Sequence, residues 1–156
     1  MKYMGSKARI AKHILPIMLE EAEKRGITTW VEPFVGGANM IDKVPETFKR
    51  IGYDFNPHTI AALVGIRDHL EELPCEVTKE FYNSIKGSEP HNVNSWIRYE
   101  CSFASKLDNG YARNKAGRNY AEKGKNLAIK QSPKIKDVVF ICEDYENLDF
   151  EDSVIY

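Results

Sequence analysis

Thr28-Thr29-Trp30-Val31-Glu32-Pro33-Phe34-Val35-Gly36-Gly37 is the stretch on which the fold turns. Thr28 to Val31 is short, β-branched and aromatic, and it closes at Glu32-Pro33, which is the pattern of a buried strand. Two glycines follow, and without a Cβ they let the backbone turn sharply and approach a ligand closely. Ala38 to Val44 reads as a short helix. Arg50-Ile51-Gly52-Tyr53 reads as a second strand ending at Asp54, and Asn56-Pro57 opens a helix with Ile60, Leu63, Val64 and Leu70 on its apolar side. Strand, glycine turn, helix, strand, acid, helix is the front half of a nucleotide-binding α/β unit.

On the N-terminal side, Ser6 is placed to cap a helix carrying Ile10, Ile14, Ile17 and Met18 along one side. Pro16 is expected to kink or restart that helix, and Gly26 to stop it. On the other side, residues from about Glu72 to Lys136 break the α/β alternation. They hold helical patterns near Thr78–Lys86, Asn94–Ser105 and Tyr120–Lys130, with a glycine- and base-rich loop from Lys106 to Arg118. The alternation resumes with Val138–Cys142, expected as a third buried strand, and Val154-Ile155-Tyr156, expected as the start of a fourth. Three segments follow: residues 1–71 as the first part of a sheet domain, 72–136 as an inserted lobe, and 137–156 as the return to the sheet.

Composition limits the alternatives. A chain of 156 residues with 42% hydrophobic and 29% charged residues can bury a single core, which excludes collagen-like, low-complexity and wholly disordered classes. No apolar run reaches the ~18 residues of a membrane span, and the N-terminus lacks the apolar core of a secretory signal, so the expected location is the cytoplasm. Cys75, Cys101 and Cys142 are odd in number and far apart, which points to reduced, structural thiols and no metal site. Net charge is -1, but from Lys106 to Lys136 nine bases face two acids, a local +7. A basic block on an acidic body fits a nucleic-acid contact surface, and it fits a solvated helix face with its loop equally well.

The strand ends carry the chemistry. The fingerprint G-x-G-x-x-G is absent, which disfavours a dinucleotide held by its pyrophosphate. A glycine turn preceded by Glu32 suits a ligand with a positive or hydrogen-bond-donating group. Asp54, 22 residues after Glu32 and at the next strand end, is placed to accept hydrogen bonds from ribose hydroxyls. Asn56 is the better helix cap, which leaves Asp54 free for that role. Asp144 and Tyr145 follow the third strand, an acid and a ring that suit an adenine. The sum is a site for a nucleoside with a charged, non-phosphate tail, and S-adenosylmethionine fits it.

The order Tyr3-Met4-Gly5-Ser6-Lys7, Val31-Glu32-Pro33-Phe34-Val35-Gly36-Gly37, Asp54-Phe55-Asn56-Pro57 and Asp144-Tyr145 resembles the Dam-type (D12 class) DNA adenine N6-methyltransferases over nearly the whole chain. The resemblance implies an α/β, Rossmann-like methyltransferase fold with an incomplete sheet and an inserted, mainly helical target-recognition lobe. It implies S-adenosylmethionine as cofactor and double-stranded DNA as partner, in DNA methylation or restriction-modification. By likeness, Tyr3, Met4, Gly5 and Lys7 border the methionine part of the cofactor. Glu32, Pro33, Phe34, Gly36 and Gly37 form the turn around it, Asp54 holds the ribose, and Asp144 with Tyr145 holds the adenine. Lys106, Tyr111, Arg113, Lys115, Arg118 and Asn119 reach toward DNA, the bases gripping phosphates or reading guanine edges and Tyr111 wedging into the stack.

The sequence departs from the family pattern at one place. The family's catalytic Asp-Pro-Pro-Tyr, which holds the amino group of a flipped-out adenine, does not occur, and Asp152-Ser153-Val154-Ile155-Tyr156 resembles the lead-in to it. Positioning supplies most of the rate of methyl transfer, so the chain alone is expected to be a poor catalyst or none. Three readings follow: the cofactor-binding and target-recognising portion of an adenine methyltransferase, a DNA-binding module that no longer methylates, and a subunit completed by a second polypeptide. If its last strands are sheet strands, apolar surface and a strand edge are expected to lie uncovered.

Overall fold

The computed structural model describes residues 1–113 and 117–156. Its elements run α1 (Ala11–Arg25), β1 (Thr29–Glu32), β2 (Lys49–Asp54), α2 (Pro57–Asp68), α3 (Lys79–Ile85), α4 (Asn92–Glu100), α5 (Tyr120–Gln131), β3 (Val139–Cys142) and β4 (Ser153–Ile155). The strands form one parallel sheet in the order β3-β2-β1-β4. Strand order therefore reverses at β1, and in open parallel sheets the crevice beyond the strand ends at such a point is where ligands bind. Among the described residues no helix is long and apolar enough to cross a membrane.

The local chemistry explains the element boundaries. Gly26 ends α1 in the left-handed region at φ 67°, with its N–H on the last turn's carbonyls. Asn56 caps α2 by accepting from His58 N at 3.0 Å, and Pro57 sits where no N–H is needed. The start of α1 differs from expectation. Ser6 Oγ accepts from Ala8 N (3.3 Å) and caps a turn before the helix, and Ile10 precedes α1 without any side-chain cap. The buried stripe of α1 is Ala11, Leu15 and Ala22, while Ile10 and Ile17 are exposed. Pro16 lies inside an unbroken helix, on its exposed side. The helix expected over Ala38–Val44 contracts to a single 3-10 turn, Ile41–Lys43, because Ala38 is left-handed (φ 55°) and cannot continue a helix.

The core lies between the sheet and its helices, around Trp30, Leu63, Ile66, Trp96, Ile97 and Ile135. Its largest helix–helix contact is α2 on α4. From Ser95 to Glu100 every residue of α4 is buried, so this helix of the 72–136 segment is part of the main core. The approach is close enough that a Cβ on Gly65 would stand 2.6 Å from the Asn92 carbonyl oxygen. Arg50, buried in β2, reaches the carbonyls of Val44 (3.0 Å) and Lys134 (2.9 Å) and the carboxylate of Asp137, binding three segments to the sheet.

The third strand is not buried as expected. β3 is an edge strand, and Val139 and Ile141 are 45% and 37% exposed. Arg67 of α2 covers Phe140 with its guanidinium 5.6 Å from the ring and donates to Val138 O at 2.7 Å. β4 forms the other edge and leaves Ile155 exposed. Both outer strands thus present apolar side chains to solvent.

Gly65→Ala is expected to force α2 and α4 apart and lower stability by about 1–3 kcal/mol, the usual cost of overpacking. Urea unfolding followed by circular dichroism measures it, and unchanged stability would show that the α2–α4 contact does not bear on the fold.

Candidate functional site

The turn after β1 is held from two directions. Val35 N donates to Tyr53 O (2.8 Å), which stitches it to β2. Gly36 N donates to Asp54 Oδ2 (3.1 Å), and Asp54 Oδ1 accepts from Asn56 N (2.9 Å). Asp54 is therefore not left free by the Asn56 cap: each oxygen fixes a backbone amide, one in the glycine turn and one at the start of α2. Each also keeps a lone pair for a further donor. Burial raises the Asp54 carboxyl above its ordinary pKa, and the two amide hydrogen bonds oppose the rise.

The N-terminal segment lies directly on this turn. A Cβ on Gly37 would stand 2.8 Å from Tyr3 Cβ and 2.9 Å from the Met1 carbonyl oxygen, so only glycine lets the two backbones meet. Gly36 adopts φ 50° under the Tyr3 ring. Asn39 Nδ2 donates to the Met1 carbonyl at 3.0 Å. Tyr3 packs in turn on Tyr99 of α4, ring centroids 5.7 Å apart, and the Tyr99 hydroxyl is 2.9 Å from Thr59 Oγ1.

Between segment and turn lies a hollow of about 350 Å³. The structure brings Tyr3, Met4, Gly5, Lys7, Glu32, Phe34, Gly36 and Gly37 to its walls. Pro33 is buried inside the turn. Asp54 lies behind the wall and reaches it through Gly36 N. Tyr145 packs its ring on Phe34, centroids 5.2 Å apart, so an aromatic pair stands at the rim. Asp144 accepts from Glu146 N (3.1 Å) and caps the turn that presents Tyr145. Asn39, Met40 and Tyr156 also line the hollow and carry no motif. Tyr156 arrives there because β4 pairs with β1, which its sequence does not announce.

Glu32 is the electrostatic centre. It is 2% exposed and accepts from Trp30 Nε1 at 3.1 Å. Burial pushes its carboxyl pKa from 4.5 up to about 8, against the pull of the Trp30 hydrogen bond. A neutral acid at the end of β1 becomes a carboxylate once a cation replaces the lost solvent.

The D12 class N6 adenine-specific DNA methyltransferase family model matches residues 3–154. The chain belongs to that family. No curated protein matches it. The matched span covers α1 to α5, β1 to β3 and the glycine turn, and all of the hollow's lining except Tyr156.

The residues expected to face DNA are dispersed by the D12 fold. Lys106 and Arg113 are exposed, as is Arg118, and Lys115 lies outside the described residues. Tyr111 serves packing: its hydroxyl donates to Val77 O (2.7 Å) and its ring lies 5.7 Å from that of Tyr82. It braces the loop and is not projected as a wedge. Asn119 caps α5, accepting from Glu122 N (3.1 Å), and donates to Cys75 O (2.9 Å). Arg98, buried on α4, holds Asp108 through Nε at 2.8 Å and Nη2 at 2.5 Å, which anchors the loop from below.

A carboxyl whose pKa is raised on folding costs stability as it ionises. Folding stability is expected to fall between pH 4.5 and about 8 and then level off. The slope from this group is at most about 1.4 kcal/mol per pH unit. Glu32→Gln is expected to remove that component. Urea melts of both proteins across this range measure the difference, and parallel curves would show that Glu32 does not hold its proton.

Proposed function

We propose that the hollow binds S-adenosylmethionine and that the chain serves methyl transfer to the N6 amino group of adenine in double-stranded DNA. The observation that carries this reading is the meeting of Glu32, the Gly36-Gly37 turn and Tyr3–Lys7 on one hollow at the point where strand order reverses. The donor set fits the cofactor. Glu32 supplies a counter-charge for the amine of the amino-acid part, and Lys7 supplies one for its carboxylate. Asp54, behind the glycine turn, offers its remaining lone pairs to ribose hydroxyls, and Phe34 with Tyr145 offers ring faces to the adenine, next to Asp144. When bound, the cofactor supplies an electrophilic methyl on a sulfonium. The protein's own part is to fix that tail beside a buried carboxyl, where Glu32 acts strongly because it is itself dry.

In this reading the 72–136 segment is the target-recognition region, and residues 1–71 and 137–156 form the cofactor domain. The exposed Lys106, Arg113 and Arg118, and by sequence Lys115, meet DNA phosphates or guanine edges. A second reading, a DNA-binding module that no longer methylates, draws on the same exposed bases.

Titration calorimetry with S-adenosylmethionine tests the site. Asp54→Ala is expected to weaken binding by about 1–3 kcal/mol through unmet ribose hydroxyls. Phe34→Ala, at a side chain 69% exposed and so harmless to folding, is expected to cost about the same through lost stacking. No donor binding by the wild-type chain, or wild-type affinity in both variants, would remove the hollow as the site. Methyl transfer to adenine-containing duplex DNA decides the second reading: donor binding with no transfer by the chain alone would favour it.

A further inference from the structure

The donor hollow is the last of three that join. It shares Tyr3, Ser6 and Asn39 with a neighbouring hollow of about 440 Å³, which in turn shares Leu127 and Lys130 with one of about 420 Å³ along α5. Together they make one groove that starts near Glu122, follows the outer side of α5, passes the 3-10 turn Ser132–Ile135 and opens beside the Gly36-Gly37 turn. Helical spacing puts Lys123, Leu127 and Lys130 in a row on one side of α5, with Lys134 one turn further on. Lys123, Lys130 and Lys134 are exposed, and neither they nor Lys7 at the inner end has an acidic partner among the described residues. The acids along the groove are fewer and partly engaged. Asp42 pairs with Lys43 at 2.6 Å and accepts from Gln131 Nε2 at 3.3 Å, and Glu32 is buried, which leaves Glu122 at the outer mouth. Lys2 belongs to the wall and not to the row, since it pairs with the buried Glu100 at 3.0 Å. Leu127, 38% exposed between two lysines, gives sugar and base edges an apolar place to rest.

We propose that the DNA strand bearing the target adenine runs along α5 in this groove, its phosphates held by Lys123, Lys130 and Lys134, and is thereby led to the donor hollow. The proposal rests on the function stated above and adds a track that the loop of residues 106–119 does not supply. Two of that loop's candidates, Tyr111 and Asn119, are committed to internal hydrogen bonds. The dimensions match a strand. Lys123 to Lys130 spans about 10 Å of helix axis, close to three base steps at about 3.4 Å per step. An unpaired row of lysines suits phosphate, which any sequence offers, so the track contributes affinity and direction and leaves target choice elsewhere.

The test is the salt dependence of duplex DNA binding by the full chain, read by fluorescence anisotropy, with S-adenosylmethionine affinity measured on the same preparations. The K123Q/K130Q/K134Q variant is expected to make the slope of log affinity against log salt shallower by about 2–3, one phosphate contact per lysine. Donor affinity and the thermal melt are expected to stay at wild-type values. The control is Lys125→Gln, because Lys125 lies outside the row, with its Nζ donating to Glu71 O at 3.4 Å, and its loss should leave the slope unchanged. An unchanged slope in the triple variant with donor binding intact overturns the track and spares the donor site. Failure of the wild-type chain to bind the donor overturns the underlying reading instead. An equal fall in slope for Lys125→Gln would show diffuse charge and no track, and would also overturn the proposal.

Discussion

The contact on which the site depends is backbone against backbone. The Met1–Tyr3 segment rests on Gly36-Gly37 with no room for a side-chain carbon between them. From that contact follow the position of the Tyr3 ring, the shape of the hollow and the convergence of Lys7 and Glu32 on it. Asp54 completes the arrangement by fixing Gly36 N and Asn56 N with one carboxylate, which sets the glycine turn relative to α2. Two short strands and one acid thus hold the loop rigid without a helix behind it, where the shorter Ile41–Lys43 turn stands instead.

The middle of the chain is less separate than its composition suggests. α4 is buried along most of its length, packs on α2, and sends Tyr99 to the underside of Tyr3. Glu100 anchors the N-terminal segment by accepting from Lys2 N at 2.8 Å. The basic loop is tied to the same helix: Asp108 of the loop accepts from Arg98, and Arg98 stands on the helix that carries Tyr99 and Glu100. The basic loop and the N-terminal segment thus share one helix as their support.

The hollow also carries a cost. A carboxyl buried in a dry site destabilises the fold once it ionises. In the proposed function, a cation received beside it would recover the energy that folding gave up. The apolar side chains of β3 and β4 at the sheet edges are a separate cost, and neither touches the hollow.

Local chemistry alone was enough for the strand before Glu32, the glycine turn, the Asn56-Pro57 helix start and the family's motifs, since each depends on residues within a few positions of one another. The helices near 78–86 and 120–130 were legible for the same reason. What sequence could not show was which faces are covered. Ile10 and Ile17 read as core and lie in solvent, because Ala11, Leu15 and Ala22 are the residues that fit closely against the rest. Val139 and Ile141 read as buried and sit on an edge strand, because burial depends on a second neighbour that β3 does not have. Tyr99 and Tyr156 reach the site across long stretches of chain, and the side chains of Tyr111 and Asn119 are engaged by Val77 and Cys75, far away in sequence. The sequence by itself determined which side chains have the chemistry to meet a charged nucleoside. Only the tertiary structure decided which of them share a hollow, because burial and convergence are properties of packing between segments distant in the chain.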